Sequence, residues 1–253
     1  QSVDQKLQLA KELYLKNNFA SALGQFEQVA ATADKNSELY SEACFFKALC
    51  ALKMDNSNAE ELITGFVNEF PSSPYKNKAW FELGINQFDH KKYALVLRSF
   101  KEVNASGLNK DERIKLHYET GYSYFAMEKY DEAATEFFGI KDVNSMYAAP
   151  ARYYWAHIHY LKENYQTALT EFNKLKDNPN FAKVIPFYIT QIYYKQGKYA
   201  EVIDYTVPLL EKVDAKEQPE LAKIIGDSYF HLHQFDKAVV YLELFFKSGD
   251  RKG

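Results

Sequence analysis

Histidine is the first residue type to test for chemistry, and its spacing here argues against metal binding. Four of the six histidines form two pairs separated by two positions, His157/His159 and His231/His233. Residues two apart on a helix point about 200° away from each other. Neither pair can share a metal ion, whereas a pair four apart could. We therefore predict packed or solvated histidines, no metal site and no other cofactor.

Cysteines and paired carboxylates also lack the spacing that catalysis requires. Cys44 and Cys50 lie six positions apart in a helical stretch, which is a rise of about 9 Å. This exceeds the Cα separation of about 7 Å that a disulfide tolerates, so we predict two free thiols. Glu132 and Glu136 lie four positions apart on a predicted helix. A solvated helix face explains this spacing better than acid–base catalysis does. The chain has no glycine-rich phosphate loop or nucleophile elbow, and we predict that it is not an enzyme.

A recurrent pattern of apolar residues dominates the sequence. An aromatic residue is followed three positions later by a small one and, four positions after that, by a larger residue. From Tyr93 onward the aromatic residue recurs after 37, 35, 34 and 36 positions, a period that indicates a helical array. The six occurrences are Phe19/Ala22/Phe26, Tyr93/Val96/Phe100, Tyr130/Ala133/Phe137, Tyr165/Ala168/Phe172, Tyr199/Val202/Thr206 and Phe235/Ala238/Leu242.

Each unit is predicted to contain two helices, A and B, joined by a short polar turn. In the third unit we expect helix A over 75–90 and helix B over 93–103. A small residue recurs in the middle of helix A, although glycine there costs about 1 kcal/mol relative to alanine. We predict that it allows helix B to approach closely, with a Phe or Leu beside it. These small residues are Gly84, Gly121, Ala156, Thr190 and Gly226.

The pattern Trp80-x2-Leu83-Gly84, followed by Tyr93-x2-Val96-x3-Phe100, resembles the tetratricopeptide repeat (TPR). The resemblance covers nearly the whole chain. It implies an all-α fold, a right-handed superhelix (α-solenoid) of about seven antiparallel helix pairs in a single array. The second unit departs from the pattern, because Asn56 stands where the aromatic residue is expected. The expected repeats cover approximately 3–36, 37–74, 75–108, 109–147, 148–182, 183–216 and 217–253.

Composition and local resemblance suggest where the protein works. The formal net charge is −3 with acids and bases interspersed, so we predict no nucleic-acid partner. No run of about 18 apolar residues could form a transmembrane segment. The start at Gln1 suits an exported or trimmed chain, and the polar tail over 247–253 suggests part of a longer array. Segments 68–75 and 177–182 resemble exported bacterial TPR proteins, which implies a periplasmic or outer-membrane-associated scaffold; a cytoplasmic location is the alternative.

One face of helix A is the candidate binding surface. Positions three before, one after and four after the small residue have mutual spacings of 4, 3 and 7 and therefore share a helix face. Most are Phe or Tyr, which suit binding surfaces, although neighbouring A helices burying these rings against each other would explain them too. The predicted ligand-binding residues are Phe81, Phe88, Tyr118, Tyr122, Phe125, Tyr153, His157, Tyr160, Phe187, Gln191, Tyr194 and Phe230.

These observations favour a non-catalytic scaffold that binds a peptide or protein segment in a Tyr/Phe-rich concave groove. Lys223 is the only base on this face, which disfavours a clamp for acidic C-terminal tails and favours apolar anchors. The first alternative is a carbohydrate- or cell-wall-binding module. The second is a hydrolase, which would require His157, Gln191 and Asp227 to converge within hydrogen-bond reach. The sequence leaves the oligomeric state open.

Overall fold

The computed structural model describes residues 2–249 and is helical throughout. Gln1 and residues 250–253 of the predicted polar tail lie outside this range. Within it there are fourteen α-helices, two 3₁₀ turns (Ala105–Gly107 and Val207–Leu209) and no strand. The helices are α1 Val3–Leu15, α2 Phe19–Thr32, α3 Glu38–Lys53, α4 Ala59–Glu69, α5 Lys76–Asp89, α6 Tyr93–Lys101, α7 Lys110–Ala126, α8 Tyr130–Ile140, α9 Ala148–Leu161, α10 Tyr165–Asn173, α11 Ile185–Lys195, α12 Tyr199–Thr206, α13 Gln218–His231 and α14 Phe235–Gly249.

The helices pack in consecutive pairs, which confirms the predicted all-α repeat architecture. α5 packs on α6, α9 on α10 and α13 on α14, while A helices also contact the next A helix, as α3 does α5 and α11 does α13. The chain divides after Glu136 into two compact parts. They are called unit 1 and unit 2 below; each contains several helix pairs, so they are not the single repeats of the sequence analysis. In the third pair, the predicted helices over 75–90 and 93–103 are α5 and α6, each two residues shorter than expected.

A common turn ends every A helix and starts the next B helix. One residue adopts a left-handed conformation, and the following N–H donates to the carbonyl five positions earlier, as Lys92 does to Gln87 at 2.8 Å. This is the Schellman arrangement, which satisfies carbonyls at a helix end. The left-handed residues are Asn17, Asp55, Lys91, Glu128, Glu163, Gly197 and His233.

The small residue of helix A has the packing role that the sequence predicts. A Cβ built on Gly84 would overlap the Phe100 ring, and one built on Gly226 would lie 2.7 Å from Leu242 Cγ. Helix B therefore approaches helix A more closely than a side chain would permit. The sixth pair has a polar version of the contact, because the hydroxyls of Thr190 and Thr206 hydrogen-bond to each other at 2.6 Å in the core.

The second pair keeps the turn although its aromatic residue is missing. Asn56 N–H donates to the Ala51 carbonyl at 3.0 Å, as in the other pairs. α4 then begins at Ala59 and buries Ile63 and Phe66. The backbone turn is therefore independent of the aromatic side chain. In the preceding helix α3, both predicted thiols are free, with Cys50 buried and Cys44 half-buried.

Candidate binding site

The last row of the predicted face packs against the turn of its own repeat. Each aromatic residue four positions after the small residue contacts the first ring of helix B, with ring centroids 5.4–6.3 Å apart. The two rings are tilted or edge-on, a favourable arrangement worth about 0.5–1.5 kcal/mol. This row therefore stabilises the turns. The pairs are Tyr14/Phe19, Phe88/Tyr93, Phe125/Tyr130, Tyr160/Tyr165, Tyr194/Tyr199 and Phe230/Phe235.

The first row of the face, three positions before the small residue, is buried to a different extent in each repeat. Phe81 is only 2% exposed and packs on Phe100, so its predicted place on a binding surface is wrong: it is a core residue. Tyr118 and Phe187 are half-buried. Tyr153 stacks on Phe181 at 5.0 Å. The periodicity that placed these residues on one face did not indicate how far the neighbouring helices cover each one.

In unit 1 the remaining rings of the face pack together. Tyr122 contacts Phe88, with centroids 5.5 Å apart, and Tyr93, with centroids 5.8 Å apart. Tyr118 lies 6.5 Å from Tyr122 on the same helix. α5 and α7 therefore meet through aromatic side chains here. This is the packing explanation that the sequence left open.

In unit 2 the rings surround Tyr188, a residue that the sequence pattern missed. Tyr188 on α11 contacts Tyr153, His157 and Tyr160 of α9, with centroids 5.0–6.0 Å apart. Its hydroxyl lies 3.1 Å from that of Tyr153. Burial raises the pKa of Tyr153 above its ordinary range and lowers the pKa of His157. Tyr188 lies outside the three rows analysed, which is why it was not predicted.

Beside this cluster, three A helices enclose a cleft of about 320 Å³ in unit 2. α9, α11 and α13 each contribute side chains to it. Tyr160 Oη donates a hydrogen bond to Gln191 Oε1 across the cleft wall. Burial and the nearby Asp227 carboxylate raise the pKa of Tyr194. The lining residues are Tyr160, Gln191, Tyr194, Lys195, Glu220, Lys223, Ile224 and Asp227.

The charges around this cleft are unequally compensated. Lys223 Nζ lies 3.9 Å from the Glu220 carboxylate and 5.6 Å from the centre of the Phe245 ring. Lys195 is exposed at the end of α11. Among the described residues, Asp227 has no cationic group within 4.0 Å. Asp227 and Lys195 are therefore the two charged groups of the cleft that have no ion-pair partner within 4.0 Å among the described residues, and Lys195 is the more exposed of the two.

The three polar residues considered for a hydrolase do not all line the cleft. Gln191 and Asp227 line the cleft, but His157 is not among the lining residues and lies in the aromatic cluster. Among residues 2–249, no three His, Cys, Asp or Glu side chains are grouped to hold a metal ion. None of the described helices is both long and apolar enough to cross a bilayer.

Solved structures with the same fold include several repeat proteins. A tetratricopeptide repeat protein from Parabacteroides merdae is 13% identical, with 97% of this chain and 92% of that chain covered and a TM-score of 0.56. The apo form of RapI is also 13% identical, with 98% of this chain and 77% of that chain covered and a TM-score of 0.62. MamA AMB-1 is also 13% identical, with 66% of this chain and 95% of that chain covered and a TM-score of 0.54.

No protein-family model matches the sequence, and the comparison with curated proteins also gives no match. At 13% identity, the structural similarity establishes the fold and no more. Helix pairs, turns and glycine contacts agree with that result. The chain has the tetratricopeptide-repeat fold.

Proposed function

We propose that the protein is a non-catalytic interaction scaffold that binds a peptide or protein segment on its A-helix face. The cleft formed by α9, α11 and α13 carries this proposal. It combines tyrosine rings, an amide and a carboxylate on three rigid helices, the mixture that fixes ligand orientation in binding sites. Nucleic acid is a poor partner for this face, because its charges are mixed.

The size of the cleft favours a side chain of an extended segment as its occupant. A volume of about 320 Å³ lies at the lower end of ligand pockets. It accommodates one or two side chains, and the rest of the segment would lie along the A helices of unit 2.

Selection from a phage-displayed library of random 12-residue peptides tests the proposal directly. We expect binders to the 253-residue chain whose affinity falls when Gln191 is replaced by Ala. Among the described residues, the structure places Gln191 in one side-chain hydrogen bond, with Tyr160, so the helical fold should persist in Gln191→Ala, which circular dichroism would check. The matched control is Gln166→Ala, because Gln166 is exposed on α10 and outside the cleft. Equal affinities for both variants would move the site elsewhere.

A glycan array and soluble cell-wall fragments, used on the same protein, separate the main alternative. Binding of glycans with no selected peptide would replace the peptide proposal by a carbohydrate-binding function. Location is a separate part of the proposal. Segments 68–75 and 177–182 support an exported scaffold, periplasmic or outer-membrane-associated, and fractionation of cells that express the full-length protein would test it.

A further inference from the structure

We infer that the side chain entering the unit 2 cleft is cationic, an Arg or Lys of the bound segment. This inference rests on the proposed peptide-binding function. It concerns the chemistry of a single position in the partner. The observation behind it is the pairing of an uncompensated carboxylate with tyrosine rings in one small cleft.

Charge is the first argument. Asp227 has no cationic partner among the described residues, while Glu220 is already close to Lys223. An isolated carboxylate that loses water on ligand binding is costly unless a cation or hydrogen-bond donor replaces the water. A guanidinium or ammonium group supplies both. The partner's cation would therefore complete an ion pair that the cleft leaves open.

The remaining lining suits the rest of a basic side chain. Ile224, which is 6% exposed, gives the cleft an apolar wall against which the methylene stem can lie. Tyr160 and Tyr194 contribute rings, whose faces attract cations. The Gln191 Oε1 atom is engaged by Tyr160. The cleft therefore offers apolar contact along its length and negative charge at Asp227.

The opposite choice, an acidic side chain, fits less well. Lys223 already has Glu220 as its partner and lies over the Phe245 ring. Lys195 is exposed, where water screens it and an ion pair contributes little. An acidic group would also approach Asp227. The repulsion would oppose binding unless a lysine moved from its present place.

The experiment is a double-mutant cycle on peptides selected from the 12-residue library. We expect the binders to share an Arg or Lys. Replacing that residue by Ala should weaken binding to the wild-type chain roughly 5- to 10-fold. The same replacement should weaken binding to Asp227→Asn less, because the ion pair is then already lost and only the packing of the side-chain stem remains to be removed. Asp204→Asn is the matched control, since Asp204 is exposed on α12 outside the cleft.

Charge reversal provides a gain-of-binding measurement. Asp227→Lys should favour peptides in which the shared basic residue is replaced by Glu. Peptides that bind through the cleft but share no basic residue, or whose basic residue matters equally for Asp227→Asn, would overturn the inference and leave the proposed function standing. Failure to select any peptide would overturn both. Raised salt should weaken wild-type binding more than Asp227→Asn binding.

Discussion

The A-helix face is packed with rings in unit 1, whereas in unit 2 it combines a packed aromatic cluster with a cleft beside it. In unit 1, Phe81 is in the core and Phe88, Tyr93 and Tyr122 pack against one another. In unit 2 the equivalent face carries Gln191 and Asp227, and the three A helices enclose a cleft. Backbone and turns are alike in both units. One or two side chains per helix therefore decide whether the A-helix face is closely packed or leaves a cleft.

The largest expected difference concerns the first row of the face. Phe81→Ala should lower the free energy of unfolding by about 3–5 kcal/mol, because it removes a fully buried ring. Phe187→Ala, at the equivalent place in unit 2, should cost much less, since Phe187 is half-buried. Urea denaturation followed by circular dichroism measures both. Equal losses would mean that the row has the same role in the two units, which would remove part of the contrast.

A second contrast between the units concerns the residue two positions before the small residue of helix A. In unit 1 this residue is a glutamate, Glu82 or Glu119, whereas unit 2 has no carboxylate at this position. Burial opposes ionisation of Glu82, but Lys53 at 2.7 Å and Lys78 at 2.9 Å overcome it and hold its pKa below the ordinary value. Glu119 is 4% exposed, and its Oε2 atom has no hydrogen-bond partner among the described residues. Burial raises its pKa to about 8, although Lys115 lies 3.6 Å away.

The Glu119→Gln variant should therefore be more stable than wild type at alkaline pH. The folded-state pKa is raised, so the wild-type protein loses stability as pH rises from the unfolded value, about 4.3, through about 8. At pH 9 we expect a gain on the order of 5 kcal/mol for the amide, and little difference at pH 4, where the carboxyl is largely protonated in both the folded and the unfolded chain. Thermal unfolding at the two pH values measures it. A gain of the same size at both would show that charge burial is not the cause.

The sequence predicted the repeat more completely than the site. Periodicity located the helix pairs, and the mid-helix glycine predicted the contact between Gly84 and Phe100. The aromatic pairs across the turns are also visible in the sequence, as aromatic residues five positions apart. The depth of burial of each side chain was not predictable from the sequence, because the burial of Phe81 depends on how two neighbouring helices pack. For the same reason the sequence missed Tyr188, whose ring contacts come from both helices of the preceding pair, α9 and α10.

Two glycine variants separate the close helix contact from ordinary helix propensity. Gly84→Ala should destabilise the protein by about 1–3 kcal/mol, because the new Cβ would overlap the Phe100 ring. Gly24→Ala should stabilise it by about 0.5–1 kcal/mol, since nothing lies within 4 Å of the new Cβ and alanine is the better helix former. Thermal denaturation would show shifts of opposite sign. Stabilisation by both would contradict the predicted requirement for close approach in unit 1.

The smallest expected effects fall on the turns, where the two units should behave alike. Lys91 and Glu163 adopt left-handed conformations, which disfavour residues with a Cβ. Replacing either with Gly should stabilise the protein by about 0.5–1 kcal/mol, whereas Gly197→Ala should destabilise it by a similar amount. Chemical denaturation of the three variants measures these changes. Equal gains at Lys91 and Glu163 would confine the difference between the units to their side chains; a gain in only one would mean that the backbone at the turns differs too.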